Sequence, residues 1–263
     1  MLSVLSWNIQ GLSYKGTYTA FKKILPVLLR SSADIICLQE MCEAEIKLLN
    51  QFKDFHIYIP EFNSSKQVTV SHFNHNVIVS RLPFSKVGEL SFPSSLKKDI
   101  ILEAVSKMEF IVSNKVLRIY NCHFAIDGVG WQTRLKQIEY IINDCSNFTG
   151  PVVICGDFNT VVPKPGWRRK LIQFVHQIPN DDLLINNELM SEDERFLFNE
   201  AVTKAGFTEA FDLHKPTWSL LKTKHWEVLK LKPDWFLTKN LSVLSRTLGD
   251  YISDHRSMLV ELE

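Results

Sequence analysis

Short runs of mostly apolar residues recur along the chain, and several of them end in polar residues. Runs of this length without helical spacing are typical of buried β-strands. The predicted strands are Leu2–Ser6, Ala33–Leu38, Val77–Val79, Ile101–Val112, Val116–His123, Val152–Cys155, Trp235–Leu237 and Met258–Leu262. The polar turn Ser113–Lys115 between two of these runs predicts a β-hairpin.

Other stretches repeat apolar residues at the three- and four-residue spacing of an amphipathic helix. The first such stripe consists of Phe21, Ile24, Leu25 and Leu28. Pro26 within it predicts a kink or a late first turn. Further helices are predicted over Glu43–Phe52, Trp131–Ile142, Arg168–Ile178 and Arg195–Ala205. Strands that alternate with helices and hairpins predict a mixed α/β protein with sheet inside and helices outside.

The composition is that of a globular protein with ample core material. The chain has 263 residues, of which 45% are hydrophobic and 22% charged. Folds of this size often remain undivided, so we expect a single domain over residues 1–263. A formal net charge of +1 excludes a long-range basic field, so any attraction of nucleic acid must be local. The longest irregular stretch, Lys215–Pro233, predicts a functional loop.

The cysteines and the start of the chain predict a protein of a reducing compartment. The five cysteines are an odd number without paired spacing, which argues against a disulfide framework. Met1–Ser6 has no basic segment and too short an apolar stretch for a signal peptide. No apolar run is long enough for a transmembrane segment. We therefore expect a cytoplasmic protein and a monomer.

Polar islands stand at the ends of five apolar runs. They are Trp7-Asn8, Gln39-Glu40, His123, Gly156–Asn159 and Ser253–His255. A core strand has no physical reason to end in a carboxylate, an amide or an imidazole each time, whereas a shared site does. Brought to one edge of a sheet, these groups could bind a divalent cation and promote attack on a phosphoester.

Two of the islands contain groups suited to acid–base chemistry. Asp157 and Asn159 are two residues apart and share a face of extended chain, where they could hold and activate a water; a strand-end Asx turn is the alternative. Asp254 beside His255 indicates a bound cation or an oriented imidazole, with a loop pair as the alternative. Asp234 could orient His255 or be a turn residue after proline.

Three further residues offer ligands for a cation or a phosphoryl group. Glu40 leaves a buried strand and is a natural oxygen ligand for Mg²⁺ or Mn²⁺, although it could instead stabilise the next helix N-terminus. Asn8 could give the same ion a neutral oxygen or be a turn residue. His123 could hydrogen-bond a phosphoryl oxygen or be a core histidine with its own partners.

Together, the motifs resemble those of the endonuclease/exonuclease/phosphatase superfamily, which has the DNase-like fold. The matching pieces are Trp7–Gly11, Leu38–Glu40, Asn121–His123, Gly156–Asn159, Pro233–Trp235 and Ser253–His255. The resemblance implies an α/β fold of the α+β type, a four-layer sandwich of two mixed β-sheets flanked by helices. It also implies a hydrolase of phosphoester bonds with Mg²⁺, or Mn²⁺, as cofactor.

The resemblance implies where the metal and the attacking water would lie. Asn8, Glu40 and Asp254 are similar to the metal neighbourhood of the family, with Glu40 as the most direct ligand. Asp157 resembles the residue that aligns or activates the water, and Asn159 lies beside it.

The resemblance also implies roles for the two histidines, and the sequence differs from the family pattern at two other places. His255, oriented by Asp234, is similar to the histidine that stabilises charge on the scissile phosphate, and His123 occupies a position that faces it. Gln10 replaces an aspartate of many nucleases in the family, which favours a one-metal site. Phe124–Ile126 lacks the Pro-Asn continuation of abasic-site endonucleases, which argues against that activity.

The substrate depends on loops outside the motifs. Trp167, Arg168 and Arg169 combine a planar ring with cations, which suits a stacked base and its phosphates; a helix start with solvated charges is the alternative. We expect a nuclease or phosphodiesterase acting on nucleic acid or nucleotide-like substrates. The alternatives are a phosphoinositide phosphatase or sphingomyelinase-type lipid phosphodiesterase and, more remotely, an inactive DNase-like binding module.

Overall fold

The computed structural model describes residues 1–10, 19–60, 75–93, 96, 104–125, 131–160, 194–213, 215–219 and 230–263. In these residues two six-stranded sheets pack face to face, and helices cover their outer faces. The predicted four-layer sandwich is therefore confirmed. No helix in the described ranges is long and apolar enough to cross a membrane.

The first sheet joins the two ends of the chain. Its strands are β1 (Leu2–Asn8), β2 (Ile35–Met41), β3 (His56–Tyr58), β4 (His75–Ser80), β13 (Val243–Leu248) and β14 (Met258–Leu262). They lie in the order β13-β14-β1-β2-β4-β3. Strand β1 is parallel to β2 and antiparallel to β14, so the sheet is mixed.

The second sheet contains the middle of the chain. Its strands are β5 (Lys86–Ser91), β6 (Ala104–Val112), β7 (Lys115–His123), β8 (Val152–Asp157), β9 (Thr208–Glu209) and β12 (Asp234–Lys239), in the order β5-β6-β7-β8-β12-β9. A separate ribbon pairs β10 (Trp218–Ser219) with β11 (Lys230–Leu231). The predicted hairpin joins β6 to β7. Its turn is Ser113 and Asn114, with φ of 49° and 61°, as a two-residue type I′ turn requires.

Four helices in the described residues form the outer layers. They are α1 (Thr19–Arg30), α2 (Glu43–Ile46), α3 (Trp131–Asp144) and α4 (Glu194–Lys204). Helix α1 buries Phe21 and Leu28 on the first sheet, while α3 and α4 bury Ile138 and Phe198 on the second. Each such side chain contributes about 1.5–3 kcal/mol of stability when fully buried.

Some predicted elements differ from the structure. The helix predicted over Glu43–Phe52 is α-helical only to Ile46 and continues as a 3₁₀ helix over Lys47–Gln51. Helix α1 begins at Thr19, so Pro26 lies inside the helix and not in its first turn, while the predicted kink at Pro26 stays a prediction. The short strands β3 and β9 to β11 and the exposed edge strands β5 and β13 had not been predicted. The predicted helix Arg168–Ile178 lies outside the described residues.

Side chains alternate between the two faces of each strand, as β-geometry requires. On β2, Ile35 and Cys37 point between the sheets, whereas Ile36 and Leu38 point toward the helices. The residues between the sheets are apolar along most of their length. At one end they become polar, and this end contains the candidate site.

Candidate active site

Seven predicted site residues converge at the polar end of the two sheets. Asn8, Glu40, His123 and Asp157 end or nearly end their strands, Asp234 begins β12, and Asp254 and His255 lie in the turn before β14. Strand register brings three of them side by side, because Asp157 lies opposite both His123 and Asp234. The structure therefore assembles residues that are almost 250 positions apart in the chain.

A buried amide pair connects the sheets just beneath these residues. Gln39 donates from Nε2 to Asn121 Oδ1 at 2.7 Å, from β2 to β7. Asn121 in turn donates from Nδ2 to one main-chain carbonyl of β2 and one of β4, each at 3.0 Å. Because buried amides are costly unless hydrogen-bonded, this pairing fixes the spacing of the two sheets. It thereby fixes the separation of Glu40 and His123, which lie one residue after Gln39 and two residues after Asn121 on the same strands.

Asn8 links two carboxylates of the site. Its Nδ2 donates to Glu40 Oε1 at 2.9 Å and to Asp157 Oδ2 at 2.8 Å, and its Oδ1 accepts the Gln10 main-chain N–H at 2.9 Å. Asn8 thus presents its NH₂ group, rather than an oxygen, to the carboxylates. In this arrangement it orients Glu40 and Asp157, and its role as a metal ligand stays a prediction.

Glu40 occupies an irregular end of β2. Its φ is 59°, and the pairing of β2 with β4 shifts between Leu38 and Met41. Such bulges re-aim side chains and are frequent near functional sites. Burial raises the pKa of Glu40; His123 lowers this pKa, and the charge of Asp254 raises it further. A bound cation would relieve the cost of keeping this carboxylate ionised.

His255 and Asp234 form a hydrogen-bonded pair. The imidazole Nδ1 lies 2.9 Å and 3.1 Å from the two carboxylate oxygens of Asp234. This contact places Nδ1–H toward Asp234 and turns Nε2 toward the centre of the site, 3.7 Å from Asp157 Oδ2. Burial lowers the pKa of His255, but the charges of Asp234, Asp254 and Asp157 outweigh it and raise the pKa well above its ordinary value.

The two oxygens of Asp254 have different surroundings. Oδ2 accepts the Trp218 Nε1–H at 3.1 Å. Oδ1 is buried, lies 3.9 Å from His255 Nε2 and has no hydrogen-bond partner among the described residues. A buried carboxylate oxygen without a donor is costly, so this atom is suited to a bound cation.

A serine hydroxyl fixes the turn that presents Asp254 and His255. Ser253 Oγ accepts the His255 main-chain N–H at 2.9 Å and lies 2.9 Å from the Asn8 carbonyl oxygen, to which it can donate. Trp7 donates from Nε1 to the His255 carbonyl at 3.1 Å. Sequence reasoning did not assign these supports or Trp218. Trp218 nevertheless lies in the irregular stretch that had been predicted to be functional.

His123 faces two carboxylates. Its Nε2 lies 3.6 Å from Glu40 Oε1 and 3.8 Å from Asp157 Oδ2. Its Nδ1 is buried and has no hydrogen-bond partner in the part of the chain that is described. His123 is therefore buried without being the fully hydrogen-bonded core histidine that was the alternative interpretation.

Asp157 and Asn159 form an Asx turn at the end of β8, as the alternative interpretation of this motif predicted. The carboxylate of Asp157 nevertheless lies in the site. The Asn159 main-chain N–H donates to Asp157 Oδ1 at 2.8 Å, which leaves Oδ2 facing the centre. The Asn159 side chain donates to the Phe124 carbonyl at 2.9 Å. Gly156 has φ of 134°, and a Cβ there would lie 1.9 Å from the Cys122 carbonyl oxygen, so only glycine fits.

Two overlapping groups have the geometry of a metal site. One group consists of Glu40, His123 and Asp157, and the other consists of Asp157, Asp234 and His255. Within each group the ligand atoms lie within 4.8 Å of one another. The surplus of carboxylates suits a hard divalent cation, as does Asp254 Oδ1, which has no hydrogen-bond donor in the described part of the chain. The predicted substrate-binding residues Trp167, Arg168 and Arg169 lie outside the described residues.

Comparison with known proteins identifies the family. The sequence model of the endonuclease/exonuclease/phosphatase family matches residues 5–255. The chain belongs to this family. The match takes in every motif that carried the resemblance, so the predicted membership is confirmed. Among curated proteins, no sequence matches the chain.

Solved structures share the fold of this endonuclease/exonuclease/phosphatase family member. A humanized D. rerio TDP2 aligns with a TM-score of 0.68 at 15% identity over 100% of this chain and 98% of its own. A family protein from Leptotrichia buccalis aligns with a TM-score of 0.67 at 15% identity over 100% of both chains. D. rerio TDP2 complexed with a single-strand DNA product aligns with a TM-score of 0.65 at 14% identity over 100% of this chain and 98% of its own.

Proposed function

We propose that this protein is a divalent-metal-dependent phosphodiesterase that acts on nucleic acid. The observation that supports this most is the convergence of four carboxylates and two imidazoles on one point, with Asp254 Oδ1 buried and without a donor among the described residues. A binding scaffold has no chemical need for such a costly cluster. The site therefore favours catalysis over an inactive binding module.

Glu40 and Asp254 would hold the cation, which we propose is Mg²⁺. Glu40 keeps 21% of its side chain exposed, so it can reach an ion that enters from solvent, and Asp254 Oδ1 has no competing donor in the described part of the chain. When bound, Mg²⁺ would neutralise charge on the phosphoryl oxygens. Gln10 in place of a carboxylate supports one ion rather than two.

Asp157 would hold and deprotonate the attacking water. Its Oδ1 is fixed by the Asn159 N–H, and its Oδ2 lies at the centre between Asn8 and the two histidines. Fixing the base before substrate binds removes part of the entropic cost of the transition state.

The histidines would stabilise charge on the phosphoryl group. His255 has a raised pKa and presents Nε2 to the centre, so it can donate a hydrogen bond to a phosphoryl oxygen. Asp234 holds the ring in that orientation. His123 Nε2 faces the same space from the second sheet and can contact another oxygen.

We propose single-stranded nucleic acid as the substrate. The complex of D. rerio TDP2 with a single-strand DNA product supports this, because that protein shares the fold. A net charge of +1 gives little long-range attraction for duplex DNA. Trp167 and Arg168 would then supply stacking and a phosphate contact.

A substrate panel tests the proposal. With Mg²⁺, the protein should cleave single-stranded DNA or RNA, or a 5′-tyrosyl oligonucleotide, faster than duplex DNA. It should not turn over phosphoinositide or sphingomyelin vesicles. EDTA and Asp157→Asn are the matched controls: EDTA should abolish turnover, and the variant should lower it by about two to four decades. Turnover of a lipid with indifference to every oligonucleotide would contradict the nucleic-acid assignment and favour the lipid phosphodiesterase.

We also propose that residues 1–263 form one domain, monomeric and cytoplasmic. The pairing of β1 with β14 supports a single unit, because it joins both chain ends in one sheet. All five cysteines are buried free thiols, which suits a reducing compartment.

A further inference from the structure

Near the site, strand β12 has a neighbouring strand on only one of its two edges among the described residues. One edge of this strand pairs with β8 along its whole length, from Asp234 to Lys239. Among the described residues, the other edge pairs with β9 at two positions, Leu237 and Thr238. The main-chain groups of Asp234 and Phe236 point to that same edge, beyond the end of β9. Left unpaired, they would be costly in a buried strand.

Three buried side chains form hydrogen bonds with most of these main-chain groups. Lys232 Nζ donates to the Asp234 carbonyl at 2.8 Å. The Asp234 N–H donates to Thr217 Oγ1 at 3.3 Å, and the Phe236 N–H donates to Glu209 Oε2 at 3.1 Å. The remaining carbonyl, that of Phe236, accepts from the Ala210 main chain. Side chains thus complete the edge where a longer neighbouring strand would otherwise be.

Lys232 and Glu209 are unusual for charged residues. Their side chains are only 1% and 5% exposed, and Nζ lies 3.2 Å from Glu209 Oε1 and 4.7 Å from the Trp235 ring centre. Burying an ion pair brings little net stability, so stability alone does not account for it. The pair does, however, hold the strand end from which Asp234 reaches His255.

We propose that Lys232, Glu209 and Thr217 are positioning residues that fix Asp234 and, through it, the orientation of His255. This inference rests on the proposed function, because it assigns these residues to the same reaction. Lys232 and Glu209 act through main-chain groups of β12, whereas the Thr217 hydroxyl also hydrogen-bonds the Asp234 carboxyl group. None of the three reaches His255 itself in the hydrogen bonds described, so their loss should slow turnover rather than weaken substrate binding.

Two variants test this without leaving a buried charge unpaired. Lys232→Met combined with Glu209→Gln removes both charges, and Thr217→Val removes only the hydroxyl. Each should lower kcat about tenfold with little change in KM, because a group used in the transition state is misaligned. Thr217→Ser, which keeps the hydroxyl, should restore kcat. Thr217→Val keeps the test decisive if the charge-neutral double variant fails to fold.

A second readout does not require activity. In the metal-free protein, the proton NMR signal of His255 Nδ1–H should lie far downfield because it is hydrogen-bonded to Asp234. Both variants should broaden it or move it upfield, and Thr217→Ser should not. If no phosphodiester is ever turned over, this signal alone decides the inference. Wild-type kcat and an unchanged His255 signal in both variants would overturn it.

The matched control is an ion pair elsewhere on the same sheet. Arg118 Nη2 lies 2.6 Å from Glu109 Oε1. Arg118 is paired with Val152, which is at the opposite end of β8 from Asp157. Arg118→Met combined with Glu109→Gln should change stability but leave kcat and the His255 signal at wild-type values. If the control changes both readouts as strongly as the test variants do, the effect is general destabilisation and the inference is wrong.

Discussion

Single side chains in the site are held so that particular atoms face its centre. Trp218 donates a hydrogen bond to one oxygen of Asp254, and the Asn159 main-chain N–H donates to one oxygen of Asp157. The carboxylate of Asp234 is hydrogen-bonded to Nδ1 of His255. In each case the other polar atom of the group is turned inward. This arrangement is what allows the site to be prepared before a cation or substrate binds.

The first residue-scale prediction concerns Glu40. Glu40→Gln keeps the shape but removes the charge, so turnover should fall strongly. The Mg²⁺ concentration for half-maximal rate should rise at least about tenfold, since even indirect supports of a metal site cost that much. A Mg²⁺ titration of phosphodiester hydrolysis measures both. The exposed Glu200→Gln is the control, and a Glu40 variant that behaves like it would exclude Glu40 as the main ligand.

The second residue-scale prediction concerns Asp157. Asp157→Asn retains an oxygen for the Asn159 N–H but loses the base, so kcat should fall by about two to four decades while substrate binding persists. Single-turnover kinetics and a binding assay separate the two effects. Near-normal turnover in this variant would place the base elsewhere, with His255 as the next candidate.

At the scale of elements, the junction of β2 with α2 contains a second buried carboxyl group. Glu45 Oε2 accepts the Cys42 main-chain N–H at 3.0 Å, and the Glu45 N–H donates to the Cys42 carbonyl at 3.0 Å. This reciprocal pair caps the start of α2 in the manner of a capping box, except that the Cys42 main-chain carbonyl takes the place of the N-cap side chain. Burial raises the pKa of Glu45 from 4.5 to about 7. The folded protein therefore holds a proton on Glu45 that the unfolded chain releases at lower pH.

The element-scale prediction follows from that raised pKa. The stabilising effect of the proton is fully present below pH 4.5 and is lost as pH rises through about 7. By proton linkage the loss amounts to at most about 3 kcal/mol. Glu45→Gln keeps the cap without the titration, so it should be more stable than wild type at pH 8 but not at pH 4. Denaturant unfolding at both pH values measures this, and a constant difference between the proteins would contradict it.

Elements buried on both faces were predictable from sequence, and edges were not. Strand β8 is a run of apolar residues because helices cover one face and the other sheet covers the second. Edge strands β5 and β13 interleave apolar residues with charged and polar ones and are largely exposed, so neither an apolar run nor a strict alternation marks them. The 3₁₀ continuation after α2 depends on tertiary packing of Leu49, which spacing alone does not reveal.

At the scale of the whole molecule, the site depends on which strands are neighbours. Trp7 and Ser253 are 246 residues apart in sequence yet share a hydrogen bond. Spacing along the chain could indicate that polar islands share a site, and the family resemblance could order them. It could not show the Lys232–Glu209 pair, the Gln39–Asn121 bridge or the Trp218 contact, because each joins elements that meet only in the folded protein.

The molecule-scale prediction concerns how nucleic acid is attracted. Because the net charge is only +1, binding should depend on a few local cations. Trp167→Ala should weaken binding of single-stranded oligonucleotides with little sequence bias, and Arg168→Ala should reduce the slope of log affinity against log salt by roughly one. Fluorescence anisotropy at several salt concentrations measures both. Unchanged affinity and slope would remove these residues from the substrate site.

The most direct test of the central claim is the rate of p-nitrophenol release from thymidine 5′-p-nitrophenyl phosphate, a minimal phosphodiester. It is measured with Mg²⁺, with EDTA, and with Asp157→Asn in Mg²⁺. The proposed metal-dependent site predicts turnover by wild type with Mg²⁺ only, and at least about a hundredfold less with the variant. Equal rates in Mg²⁺ and EDTA, or equal rates for wild type and variant, would contradict it.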